Sequence, residues 1–114
     1  MAITAGIDCG TQSTKVLCYD SDKKEVLIVT TSSHQLISKE DGTREQKASW
    51  FIDAIKDCFN QIPKEIKSKI EAIGVSGQQH GFVALDKDGE PLHNVKLWCD
   101  TSTANYCDQL TQKL

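Results

Sequence analysis

The sequence predicts an α/β domain built on a mixed sheet, and three observations lead there. Three short runs rich in apolar and β-branched residues, at 3–8, 15–20 and 25–31, follow one another with only tight turns between them. Such spacing makes an antiparallel meander. One long amphipathic segment comes next, at residues 47–61. An apolar run then returns at residues 70–76. A strand regained after a helical crossover is expected to lie parallel to the first strand, with helices packed on the sheet as a second layer.

The first strand, residues 3–8, ends in Asp8-Cys9-Gly10-Thr11-Gln12-Ser13-Thr14-Lys15, and the second begins at once. Residues 21–24 turn the chain into a third strand. Val16-Leu17-Cys18 and Val26-Leu27-Ile28-Val29 are apolar at successive positions, which predicts cover on both faces of the sheet. Residues 32–47 are polar and read as a surface loop. In the helix, Trp50, Phe51, Ala54, Ile55, Cys58, Phe59 and Ile62 recur at helical spacing and form one stripe, read as core. Pro63 ends it, and residues 64–69 read as a short extra turn. After the strand at 70–76 come a strand at 82–86, a turn at Lys87-Asp88-Gly89 and an extended segment at 91–97. A last helix carries the stripe Thr103, Cys107, Leu110 and Leu114.

Length and charge narrow the function classes. A chain of 114 residues is one domain at most, 1–114. A formal net charge of -3 gives no electrostatic reason to expect nucleic acid or an anionic membrane as partner. No apolar run is long enough to span a bilayer. Residues 1–7 lack the basic start and apolar middle of a signal peptide, so the expected location is the cytoplasm. The five cysteines, Cys9, Cys18, Cys58, Cys99 and Cys107, are odd in number and form no C-x-x-C pair. They read mostly as small core hydrophobes rather than a disulfide framework. A zinc site from Cys9, His80 and Cys99 matches no common spacing.

Three stretches carry chemistry. In the first turn Gly10 is able to take φ > 0, Thr11, Ser13 and Thr14 offer hydroxyl donors, and Lys15 offers a cation. A backbone concavity of this kind holds phosphate oxygens. Asp8 is an oxygen ligand suited to Mg²⁺. The same residues also make an ordinary hairpin turn. In the second stretch Gly77 and Gly81 flank Gln78-Gln79-His80, whose neutral groups both donate and accept, as sugar hydroxyls do. Its plainer reading is a polar surface turn. In the third, Trp98-Cys99-Asp100 closes a strand and opens a helix. Asp100 reads either as a helix cap or as an acceptor for a sugar hydroxyl, with Trp98 as a pocket wall. His34 and His93 fall in no motif.

Together these stretches resemble the amino-terminal part of the FGGY carbohydrate kinases. Residues Asp8 to Lys15 resemble that family's first phosphate motif, D-x-G-T-x-x-x-K/R. Ile73-Gly74-Val75-Ser76-Gly77-Gln78-Gln79-His80-Gly81 resembles the I-G-I-x-G-Q-M-H-G of the xylulokinases, and Leu97-Trp98-Cys99-Asp100 resembles their L-W-x-D. Arg44-Glu45-Gln46 with Trp50 resembles their W-x-E-Q-x-x-x-x-W. The first motif is shared with the wider actin, hexokinase and heat-shock ATPase group, whereas G-Q-x-H-G is the specific one.

The resemblance implies an RNase H-like, actin-like ATPase fold of two lobes, of which this chain is part of the first. It implies an ATP-dependent phosphotransferase acting on a ketopentose such as xylulose. Other sugars or polyols (ribulose, gluconate) and a non-catalytic sugar or nucleotide sensor remain as alternatives. It assigns Mg²⁺ to Asp8, and ATP to Asp8, Gly10, Thr11, Gln12, Ser13 and Lys15. The sugar falls to Gln79, His80, Asp100 and Trp98. A homodimer is compatible with it. Gln79 stands where xylulokinases usually carry Met, and Arg44 or Thr43 replaces the usual Trp. The family's catalytic Asp would lie downstream of Leu114, and its adenosine pocket in the second lobe.

Overall fold

The computed structural model describes residues 2–114. The chain divides into two compact units, the first made of residues up to Gln35 together with Ser49–Gln78, the second of Leu36–Ala48 and Gln79–Leu114.

The first unit holds a four-stranded sheet: β1 (Ile3–Cys9), β2 (Ser13–Asp20), β3 (Glu25–Ser33) and a returning strand at Ile70–Gly77. Two further strands and two helices intervene in sequence, so that returning strand is β6. The elements between are β4 (Ile37–Ser38), β5 (Arg44–Gln46), α1 (Ala48–Asn60) and α2 (Lys64–Lys67). The sheet order is β3-β2-β1-β6. β1 with β2 and β2 with β3 are antiparallel, and β1 with β6 is parallel, in the expected mixed arrangement.

Strand periodicity decides which side of this sheet is buried. Ile3, Ala5 and Ile7 of β1 and Val16 and Cys18 of β2 point one way and are buried. They meet Cys58 and Ile62, with Ile55, Phe59 and Ile66 packed around them, so α1 and α2 both cover that face. Polar ties fix the helix to the sheet. Thr30 Oγ1 donates to the Cys58 carbonyl at 3.0 Å, and Cys58 Sγ to the Thr14 carbonyl at 3.4 Å. The opposite face departs from expectation. Leu17, Val29, Ile73 and Val75 remain exposed, Val75 by 70%. The apolar runs called for two covers, but both helices that this unit contains pack on the same side.

The second unit is built from short pieces. β5 lies between β4 and β7 (Val95–Lys96), antiparallel to each. Residues 32–47, read from sequence as a loop, therefore contain the end of β3 and two small strands. The expected strand at 82–86 is absent as a regular element. Phe82 bridges Lys96 and Leu85 bridges Pro91, one pair each. The reason lies at Asp86, whose Oδ1 accepts from the amides of Asp88 and Glu90 at 2.8 and 2.9 Å and turns the chain before a ladder can grow. The expected last helix forms as α3 (Ala104–Lys113), yet its stripe buries nothing, and Leu110 is 61% exposed. Of the cysteines only Cys18 and Cys58 are core. Cys107 is exposed, Cys9 and Cys99 are half-buried, and all five are free thiols. No helix among the described residues is long and apolar enough to cross a membrane.

Candidate functional site

The turn between β1 and β2, with the strand ends that flank it, gathers seven of the residues singled out from sequence. Asp8 and Lys15 face each other across the antiparallel pair, and both are exposed. Ile7 is inward, so alternation sets Asp8 and Lys15 on the open side of the sheet. There they line a trough of about 580 Å³ with Gly6, Leu17, Val29, Gly74, Val75 and Ser76. The trough is apolar at its floor and charged at the end nearest the turn.

Gly10 serves the turn differently from the expectation. Its φ is not positive, since among the described residues only Gly42 and Gly89 are glycines in that region. Instead the backbone closes on itself: Gly10 N–H donates to the Ser13 carbonyl at 3.0 Å, and a Cβ on Gly10 would sit 3.0 Å from that same oxygen. Close approach, not handedness, calls for glycine here. Thr11 Oγ1 donates to Gln78 Oε1 at 3.0 Å, and Gln78 N–H donates to the Cys9 carbonyl at 3.1 Å. The parallel pairing of β1 with β6 thus brings Gln78 to the same sheet edge as the turn. Gln12 is exposed and Ser13 half-buried. Thr14 is a correction. Its hydroxyl, counted among the outward donors, is fully buried and shares a 2.7 Å hydrogen bond with His34 Nε2. The cause is alternation again, which turns Thr14 inward where Ser13 and Lys15 are not.

Among the described residues no group of three His, Cys, Asp or Glu side chains is placed to hold a metal. A lone exposed carboxylate beside a phosphate-type turn still suits Mg²⁺, which keeps several waters and uses one or two carboxylates plus substrate phosphates. Asp8 fits that role, and bound Mg²⁺ would supply charge neutralisation there.

In the second unit, Gln79 and His80 are exposed. The backbone enters the left-handed region at His80 itself, at φ 61°, and not at the flanking Gly77 or Gly81. His is among the few non-glycine residues enriched in that region. The stretch then runs beside β7, with Phe82 N–H donating to the Lys96 carbonyl at 2.9 Å. Trp98 is 59% exposed, and Leu97 before it is buried.

Asp100 is the hub of this unit. Its Oδ1 accepts from Ser102 N–H at 2.9 Å and Ser102 Oγ at 2.6 Å. Its Oδ2 accepts from Arg44 N–H at 2.8 Å and Lys96 Nζ at 3.5 Å. Lys96 also donates to Glu45 Oε2 at 2.9 Å. Burial by itself would raise the Asp100 pKa. The Ser102 hydroxyl, the Arg44 and Ser102 amides and the Lys96 charge outweigh it and bring it to about 2. The hydrogen bond from Lys96 holds Glu45 low, and the same bond holds Lys96 high. Asp100 is not the N-cap of α3. That position is Thr103, which makes no side-chain cap bond. Gly42 has φ 93°, and a Cβ there would run into the Thr101 side chain, so this loop needs glycine on both counts. Arg44, Glu45 and Lys96 had no assigned chemistry in the sequence. Arg44 and Glu45 lie in the stretch that resembles W-x-E-Q-x-x-x-x-W, which gives them no role, and Lys96 falls in no motif, because the partners that define them lie far along the chain.

The FGGY family of carbohydrate kinases, N-terminal domain, matches residues 3–114. A xylulose kinase of Haemophilus influenzae is 45% identical over 116 residues, covering 96% of this chain and 24% of that protein. The ligand-bound xylulose kinase of Lactobacillus acidophilus superposes with TM-score 0.86 at 26% identity, over 99% of this chain and 23% of its own. Plasmodium falciparum glycerol kinase with ADP gives 0.87 at 26%, over 100% and 24%. This chain therefore spans about a quarter of the length of these relatives. With its sheet order, its Asp8–Lys15 turn and a family match over residues 3–114, the chain belongs to the FGGY family of carbohydrate kinases, with the actin-like ATPase fold.

Proposed function

We propose that this chain is part of the first lobe of an ATP-dependent kinase that transfers the γ-phosphoryl group to a ketopentose such as xylulose. The observation that carries the reading is the β1–β2 turn. An exposed carboxylate and an exposed ammonium oppose each other at the mouth of a trough, beside a turn in which a Cβ on Gly10 would sit only 3.0 Å from the Ser13 carbonyl oxygen. Phosphoryl transfer rests on positioning and electrostatic stabilisation, which such a turn supplies. Asp8 holds Mg²⁺ through water. Gly10, Thr11, Gln12 and Ser13 face the phosphates, and Lys15 adds positive charge. Gln79, His80 and Asp100 bind the sugar beside Trp98. A sugar hydroxyl reaches Asp100 by displacing Lys96 Nζ, its longest contact at 3.5 Å.

The ketopentose assignment draws on the xylulose kinase relatives and on Gln78-Gln79-His80-Gly81. A different sugar or polyol is the second reading. Gln79 favours it, because it presents a polar group where xylulokinases carry Met. The test is a coupled ADP-release assay on the intact parent across xylulose, ribulose, gluconate and glycerol. Xylulose is expected to give the highest kcat/KM, and preference for gluconate or glycerol would replace the ketopentose assignment. The 114-residue chain alone is expected to show no turnover, because one wall of a cleft cannot align donor, metal and acceptor.

A further inference from the structure

His34 follows β3 directly and belongs to no motif, yet it touches the β1–β2 turn from beneath at several points. Its backbone N–H donates to the Gln12 carbonyl at 2.8 Å. Its Nε2 shares the 2.7 Å bond with Thr14 Oγ1, a hydroxyl with no exposure. Burial lowers the pKa of the ring, and the nearby backbone of Thr11 and Gly10 opposes that shift. The ring itself stands edge-on to Phe51 of α1, with centroids 4.9 Å apart and planes at 76°. One side chain thus joins helix, third strand and turn.

We propose that His34 is a positioning residue for the phosphate turn: it holds residues 10–14 in the shape that sets Thr11, Gln12 and Ser13 against the nucleotide phosphates. The inference rests on reading that turn as the phosphate cradle. Three features favour positioning over filling. The ring makes a polar bond to the turn that an apolar residue of similar size would not make. Its Nδ1 is buried with no partner among the described residues, a cost that packing alone would avoid. Its hydrogen bonds reach the turn at two separate residues, Gln12 and Thr14. A cradle already ordered does not draw on binding energy to order itself.

The experiment uses the intact parent kinase with His34→Phe, which keeps the edge contact to Phe51 and removes Nε2, and with His34→Gln, which keeps a hydrogen-bonding group. Thr14→Val removes the other end of the same bond. Amide exchange of the peptide covering residues 9–15 is read by mass spectrometry alongside steady-state kinetics. His34→Phe and Thr14→Val are expected to speed exchange and raise the ATP KM roughly tenfold, the ratio set by having to fix one more residue on binding. The sugar KM should stay within about twofold, and His34→Gln should recover most of the loss. The double variant should be little worse than either single one, since both delete one bond. Unchanged exchange in both His34→Phe and Thr14→Val would overturn the proposal. So would faster exchange with an unchanged ATP KM, which would leave His34 purely structural. A wild-type parent that neither binds nor turns over ATP would instead overturn the cradle reading, and with it the positioning role. If His34→Phe does not fold, Thr14→Val carries the same test.

Discussion

Substituting Gly10 by Ala separates the turn's stability from its function. The new Cβ would meet the Ser13 carbonyl oxygen at 3.0 Å, inside ordinary contact distance. That oxygen is backbone and also accepts the 3.0 Å bond that closes the turn. Relief requires the turn to open by a few tenths of an ångström. The lost or lengthened hydrogen bond costs about 0.5–1.5 kcal/mol. Ala in place of Gly returns about 0.4–1 kcal/mol by restricting the unfolded chain. The two nearly cancel, so folding stability should change by about 1 kcal/mol or less. Catalysis has no such offset. At roughly 10²-fold per ångström of misplacement, a few tenths of an ångström lowers kcat/KM for ATP about four- to tenfold. The assay is steady-state kinetics on the intact parent at saturating sugar, with a thermal melt on the same sample. An unchanged kcat/KM for ATP would refute the placement of the phosphates on this turn. A collapse of the melting temperature with activity lost in proportion would show that Gly10 serves folding alone.

Other substitutions test the remaining groups. Asp8→Asn keeps the shape and removes the charge, and in the intact parent it should lower kcat by about 10²-fold or more while leaving the sugar KM near its wild-type value; activity within a few-fold of wild type would remove Asp8 from the mechanism. His80→Gly suits the backbone at φ 61° and deletes the imidazole, so it should raise the sugar KM about tenfold without a stability loss. An unchanged sugar KM would take His80 out of the sugar site. Asp100 links stability to acid: its folded pKa of about 2 lies below the ordinary carboxylate value of about 3.9. Its side chain is only 3% exposed. The stabilisation is therefore complete above about pH 4 and is lost as pH falls towards 2, by about 2 kcal/mol. Melts of the chain from pH 5 to pH 2 should show this, and Asp100→Asn should be less stable at pH 7 and flatter across that range. Equal acid sensitivity in the variant would show that another group is responsible.

The sequence by itself determined the meander, the crossover helix and the parallel return of β6, because each is written in local periodicity. Alternation along β1 and the stripe from Ala54 to Ile62 specify which atoms must be buried, whereas the unbroken apolar run Val16-Leu17-Cys18 left the buried face of β2 to the tertiary structure. It also located the Asp8–Lys15 turn, since a short connection between antiparallel strands forces those residues together. Only the tertiary structure decided the rest. β4, β5 and β7 are two or three residues long and partly charged, so no period marks them, and they exist because they pair across the chain. Thr14 turned out to be an inward residue bonded to His34, 20 positions away. Asp100 became a buried acceptor for Arg44, 56 positions away, rather than a helix cap. A polar side chain has one set of donors or acceptors and many candidate partners. Sequence states its capacity to bond, but chain topology chooses the partner, and with it the side chain's direction and the groups left facing a ligand.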